Sequence, residues 1–392
     1  MMPRHLVTLV LLAACAGDGA RDRADEHAGD APPPAAAGAE FEARLLHGTV
    51  ERGAFVGASH LLVQLEDDGA YLYRRADGER VALDVHVPDN RWRPHVTWSA
   101  PLSSDRVAVF DLYNHRLVEF DTAGTVVRAT SLASPSAFPA PVAAFADGGL
   151  LVLRDFLPSP YVQETGAYAD TTALLPVTAE LDARGPEIPV TRAQRYGALA
   201  DPQPGDEVRT ARTVGAVRRG VFDGRQRYSL EVPLSPRMQV AGTRDGVYLG
   251  AGDAAEIRVL APDGTERERF RILEEGRPVD PAMRARVRED RMRNAMEPQF
   301  RELYERVAIP DRTPRYRRLL ADAEGRLWVE RYPLPGDAET VWTVYRRDGA
   351  RVGSVTLPEG VQLLDATGQR LLLARPGVLG STRLQVVPYT LH

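Results

Sequence analysis

The chain contains no lysine; all 49 of its basic residues are arginine. Schiff-base chemistry, lysine general bases and the lysine of a phosphate-binding loop are thereby excluded. Cysteine occurs once, as Cys15, so there is no disulfide within the chain, no CxxC pair and no cysteine-based zinc cluster. No stretch of about 18 consecutive apolar residues exists from which to build a membrane-spanning helix. The HExxH, GxSxG and phosphate-loop patterns are missing too. The formal net charge is −5, which lacks the basic field of a nucleic-acid binder. What is present is 392 residues, 44% apolar and 26% charged, a balance that suits a soluble globular core.

The N-terminus speaks for export. Arg4 and His5 precede a short apolar run, Leu6 to Leu12, too brief to cross a bilayer. Leu12-Ala13-Ala14-Cys15 resembles the bacterial lipobox, in which small residues fit the signal peptidase and the cysteine thiol receives the lipid. That resemblance implies a signal peptide over residues 1–15, lipidation of Cys15, and, through Ala16, an outer-membrane address facing the periplasm or the cell surface. An ordinary secretory peptide with an incidental cysteine is the competing reading. Residues 16–40 are Gly, Asp, Ala and Pro with almost no large apolar side chain. They predict a disordered tether between lipid and domain.

From residue 41 onward, short β-type runs recur between Asp-Gly turn signals. The unit is clearest at His60 to Val85 and at Arg106 to Leu132, where strand, loop, strand, tight turn and strand follow in order. Copies follow at Arg237 to Ile272 and Arg317 to Leu357, a weaker one at Val142 to Val190, and a last one from Val361. Six units with unequal inserted loops predict an all-β fold, a six-bladed β-propeller spanning residues 41–392. The last unit supplies only three strands before His392. The β-like run Phe41 to Gly48 is free at the other end, so it is expected to pair there and close the ring, removing two exposed edges. The pattern Asp111-x-x-Asn114-His115-Arg116-Leu117-x-x-Phe120-Asp121-x-x-Gly124 resembles an NHL repeat, and the remaining units resemble the degenerate propellers of bacterial lipoproteins. That group is functionally diverse, so the resemblance implies a fold and no activity.

Connections alternate in length. Turns at Asp147-Gly148, Asp182 to Gly185, Asp245-Gly246, Asp263-Gly264, Asp322 to Gly325 and Asp348-Gly349 are short. Those over 86–95, 154–173, 191–236, 274–316, 332–339 and 375–382 are long. The two sets belong on opposite faces, and the long-loop face is the expected recognition surface. One insertion, about 278–309, reads as helical. Asp280 is an N-cap before Pro281, with Met283 and Val287 four apart, and a second apolar pattern follows through Phe300, Leu303, Tyr304 and Val307. These helices pack on a blade or act as a lid. Candidate binding residues are Trp92, Arg93, His95 and Trp98, from an aromatic and guanidinium cluster suited to stacking, with Arg237, Tyr316 and Arg317 at the starts of other inner strands. The alternative for Trp92 and Trp98 is packing between blades.

His86, Asp89 and His95 match no standard metal-ligand spacing, so no metal or other cofactor and no catalytic residue is assigned. Asp111 and Asn114 are expected to serve turn backbone. The leading expectation is a non-enzymatic, lipid-anchored envelope protein that binds a protein, peptide or glycan or acts as a scaffold. The alternative is a propeller hydrolase or lyase with an axial metal assembled from distant blades.

Overall fold

The computed structural model describes residues 41–45, 49–66, 69–86, 94–131, 138–155, 173–180, 182–189, 207–213, 216–222, 227–231, 233–234, 236–294, 301, 304–305, 309–377 and 381–392. Among them lie six four-stranded antiparallel sheets, five of them with consecutive strands in meander order. The first blade is β2 (Val50–Val56), β3 (His60–Leu65), β4 (Gly69–Arg74) and β5 (Arg80–Leu83). The second is β6 (Val96–Pro101), β7 (Arg106–Asp111), β8 (Arg116–Asp121) and β9 (Val126–Ser131). The third is β10 (Phe138–Ala144), β11 (Leu150–Asp155), β12 (Ala173–Val177) and β13 (Ile188–Pro189). The fourth is β17 (Met238–Thr243), β18 (Gly246–Ala251), β19 (Glu256–Leu260) and β20 (Glu266–Arg271), and the fifth is β21 (Tyr316–Ala321), β22 (Leu327–Arg331), β23 (Glu339–Tyr345) and β24 (Arg351–Pro358). The sixth joins β25 (Gln362–Thr367), β26 (Arg370–Pro376) and β27 (Thr382–Pro388) to β1 (Phe41–Leu45) from the other end of the chain.

The first strands of the six blades touch in sequence: β2 meets β6, β6 meets β10, β10 meets β17, β17 meets β21, β21 meets β25, and β25 returns to β2. A closed ring of six inner strands is a six-bladed β-propeller. The expected closure is present, with Phe41 opposite Val386 and Leu45 opposite Thr382 in an antiparallel pair. The physical cause is the edge of β27, whose N–H and C=O groups lack partners without it.

Alternation within the strands buries one residue in two against the neighbouring blade. Phe41, Leu384 and Val386 pack with Leu61 and Val63, joining the sixth blade to the first. Val109 and Phe120 pack with Leu62 and Leu72 across the next junction, and Tyr345 and Leu327 pack with Tyr248 and Ile257 between the fourth and fifth blades. Small residues let the inner strands approach. A Cβ on Gly53 would stand 2.7 Å from Leu364, and one on Gly242 would stand 2.8 Å from Ala143.

The Asp-Gly turns behave as composition requires. Asp263 Oδ1 accepts from the Thr265 N–H at 2.9 Å, and the following Gly264 takes φ +84°. Asp348 Oδ1 accepts from the Ala350 N–H at 3.0 Å. Asp111 is fully buried and accepts from the N–H groups of His95, Tyr113 and Asn114; it holds a turn together, as expected.

Two features of the long connections differ in detail from the sequence reading. Within 191–236, read as loop, β14 (Glu207–Thr213), β15 (Ala216–Phe222) and β16 (Arg227–Glu231) form a three-stranded antiparallel sheet. Its segments are rich in arginine, which weakens the apolar alternation by which a strand is recognised. Within 274–316, the helix α1 (Pro281–Asn294) starts where the cap predicts, with Asp280 Oδ1 accepting from the Met283 N–H at 2.7 Å. Val287 and Met283 on its apolar face pack with Leu234, Val279, Ile309 and Tyr332. The base of the insertion is pinned by the Val279 N–H to Asp311 O and Thr313 N–H to Arg277 O bonds. The helix is therefore packed down in this structure. Most of the second expected helix falls outside the described residues. No described helix is long and apolar enough to cross a membrane.

Candidate functional site

The inner strands enclose an axial cavity of about 950 Å³. All six contribute to its wall, among them Arg52 of β2, Ser99 of β6, Ala144 of β10, Val240 of β17, Arg318 of β21 and Asp365 of β25. The wall reaches the short turns at Arg244, Asp245 and Ala323 to Arg326.

A repeated backbone irregularity decides which side chains face the cavity. Five of the six inner strands carry a register shift against their second strand. It falls between Val50 and Arg52, between Val96 and Trp98, between Pro141 and Ala143, between Tyr316 and Arg318, and between Leu363 and Asp365. Such a bulge inserts one residue and re-aims the side chains that follow. Arg52, Arg318 and Asp365 each stand immediately after a bulge. Three charged groups from three blades thus occupy equivalent positions on the wall.

Burial penalises each of these charges. Desolvation lowers the pKa of the Arg52 guanidinium; Glu51 works against that effect and Arg318 adds to it. The Arg52 side chain keeps contact with solvent in the cavity, although protein surrounds it. Arg318 is likewise lowered by desolvation, opposed by Glu330 and reinforced by Arg317. Its guanidinium lies 5.5 Å from the centre of the Trp342 ring and donates to Leu363 O at 3.2 Å. Glu330, 5% exposed, is raised mainly by burial, against the pull of Arg318 and Arg317. Asp365 is raised to about 7, chiefly by desolvation and against two hydrogen bonds from the Phe55 and Ala366 N–H groups. The wall can therefore hold a proton at Asp365 near neutral pH while presenting two guanidinium groups. Gln64 is buried beside this wall; it donates to Glu51 Oε2 at 2.6 Å and accepts from Ser99 Oγ at 3.1 Å.

The residues singled out in the sequence separate into three groups. Trp92 and Arg93 lie outside the described residues. Trp98 and Tyr316 sit inside β6 and β21, 2% and 1% exposed. Trp98 packs with Phe110, Leu150 and Val152 between the second and third blades, and Tyr316 packs with Tyr248 and Leu319 between the fourth and fifth. Both aromatic bodies are thus engaged in blade packing. His95 stacks on Tyr113 with ring centroids 4.9 Å apart. The charges of Arg237, Arg317 and Arg291 of α1 all act on the Tyr332 phenol, opposing the upward shift that burial gives it. His95, Arg237 and Arg317 do not line the axial cavity, whereas Trp98 borders it. The backbone N–H of His86 bonds Asp84, while Asp89 lies outside the described residues. No three His, Cys, Asp or Glu side chains among the described residues are grouped to hold a metal ion. Sequence reasoning missed Arg52, Arg318, Glu330 and Asp365. The one available signal was a charged residue inside an otherwise apolar inner strand, as in QLLDAT and YRRLLA.

By fold and site, the chain is a six-bladed β-propeller with a charged axial cavity. No protein-family model matches it, and no curated protein matches it by sequence. Among solved structures it is similar to virginiamycin B lyase from Staphylococcus aureus, at 10% identity over 88% of this chain and 98% of that one, with a TM-score of 0.42. It is also similar to a member of the duf4221 family from Bacteroides vulgatus, at 11% identity over 89% and 96%, with a TM-score of 0.40. A third is Raptor from Chaetomium thermophilum, at 10% identity over 90% of this chain and 29% of that one, with a TM-score of 0.42.

Proposed function

We propose that this chain is an exported, lipid-anchored binding protein of the cell envelope, held by a lipid on Cys15 and a tether over 16–40. Its NHL-like propeller takes a ligand in the axial cavity, and its long-loop face meets a protein, peptide or glycan partner. The observation that carries the ligand reading is the cavity itself. Its volume of about 950 Å³ lies within the roughly 300–1,000 Å³ typical of small-ligand sites. Its wall mixes apolar residues with charged ones of both signs, among them Arg52, Arg318 and Asp365 from three different blades, and such convergent polar groups on a partly apolar wall orient a ligand.

A thermal-shift screen of a small-molecule library on the full chain tests this, repeated on Leu320→Trp. Leu320 lines the cavity and is only partly buried, so the indole fills space a ligand needs. Compounds that stabilise the native protein and lose their effect in Leu320→Trp support the reading; hits indifferent to that change refute it. For the anchor, Cys15→Ser should abolish palmitate labelling and shift the protein out of the membrane fraction.

A further inference from the structure

The inner wall of the cavity has cationic donors left over. Among the described residues Arg52 makes no hydrogen bond or close ion pair, although it lines the cavity and desolvation is the main influence on its guanidinium. Arg318 spends one N–H group on Leu363 O, and its contacts with the Glu330 carboxylate are long, 4.0 Å from Nε to Oε2. A guanidinium has five N–H donors, so both side chains keep donors available. The two stand at equivalent post-bulge positions on β2 and β21, the strands either side of β25, and their charges repel one another. The carboxylates near them are engaged: Glu51 accepts from Gln64, and Asp365 accepts from two backbone N–H groups. Two guanidiniums gathered in a partly dehydrated space cost energy unless an anion joins them. The wall around them is Ala54, Leu319, Leu320 and Leu364, which suits a compact apolar body.

We propose that Arg52 and Arg318 together form an oxyanion receptor in the axial cavity, and that the ligand is a small organic acid whose carboxylate or phosphate lies between the two guanidinium groups with its apolar part against the alanine and leucine wall. The assignment rests on the ligand-binding reading above and gives it a chemical class. Each guanidinium offers paired N–H groups that match two oxygens of the acid. The bulge on β21 puts Arg318, and not its neighbour Arg317, on the cavity wall; on β2 both Arg52 and Glu51 line it, and Glu51 is occupied by Gln64.

The test is isothermal titration calorimetry on the full chain with phenylacetate, phenyl phosphate and neutral 2-phenylethanol. The two acids separate a carboxylate from a phosphate ligand, and tighter binding of either one identifies which is preferred. At least one acid should bind tenfold or more tightly than the alcohol. Arg52→Gln and Arg318→Gln should each cost that acid tenfold or more while leaving the alcohol unchanged. Arg269→Gln, on the outer strand β20 where Arg269 pairs with Glu266 and Glu256, should have no effect. Arg52→Gln is decisive, because no hydrogen bond is lost with it and the fold is kept; an unchanged melting temperature verifies this. Acids that bind no better than the alcohol, or that bind Arg52→Gln as well as the native chain, overturn the assignment. If library compounds still respond to Leu320→Trp in that event, the cavity remains a binding site and only its charge preference was misassigned. If they do not, both readings fall.

Discussion

Removing the closing strand's one large anchor should loosen the entire ring. Phe41 is 6% exposed and packs in the cluster that joins the sixth blade to the first. Truncation to alanine removes a buried aromatic from a site that backbone pairing on β27 keeps from collapsing. A loss of about 3 kcal/mol is expected, at the lower end for such changes because the residue lies at a strand terminus. Unfolding entropy is about 2.1 cal/mol/K per residue, so a domain of roughly 350 residues should melt about 4 °C lower. Glu42 is the internal control. It points the other way on the same strand, and its charged contact among the described residues is an exposed pair with Arg383 at 3.5 Å, worth at most about 1 kcal/mol. Urea unfolding and differential scanning calorimetry of Phe41→Ala and Glu42→Ala read the difference directly. Equal effects from the two variants, or a loss below about 1 kcal/mol for Phe41→Ala, would refute the claim that β1 locks the ring through its inward face.

Other consequences can be checked independently. The Asp365 carboxyl has a folded pKa of about 7, above its unfolded value, so the folded state holds its proton more tightly. Its contribution to stability is fully present below the unfolded pKa and is lost as pH rises toward 7. Asp365→Asn should therefore flatten that part of the pH–stability curve, and a difference curve with the opposite slope would contradict the assignment. Asp111→Ala leaves three turn N–H groups without their carboxylate and should cost about 2–4 kcal/mol in denaturant unfolding. Asp280→Ala removes the cap of α1 and should cost about 1 kcal/mol. Hydrogen exchange should show faster opening of the amides at Met283 and Arg284, with blade amides unaffected.

Much of the architecture was legible because the signals are local. Asp-Gly turns, two-residue alternation and an unpaired β-like segment at 41–48 are read over a few residues, and the shortage of one strand in the last unit pointed to the closure. The start of α1 was equally local, since Asp280 and Pro281 act on the adjacent backbone. The sheet β14–β16 escaped because strands rich in arginine lack an apolar face in the sequence pattern.

The chain order alone determined the number of blades, the strand that closes them and the turns between them, because each depends on neighbours a few residues apart or on a simple count of strands. Tertiary structure decided what faces the axis. Trp98 and Tyr316 offer the same aromatic surface to a ligand or to a neighbouring blade; the structure packs Trp98 beside Phe110 and Tyr316 beside Tyr248, and Trp98 also borders the axial cavity. Arg52, Arg318 and Asp365 come from three blades and meet on one wall because bulges at equivalent places turn them inward. A bulge reflects the register between two strands, and register is set by the packing of whole sheets.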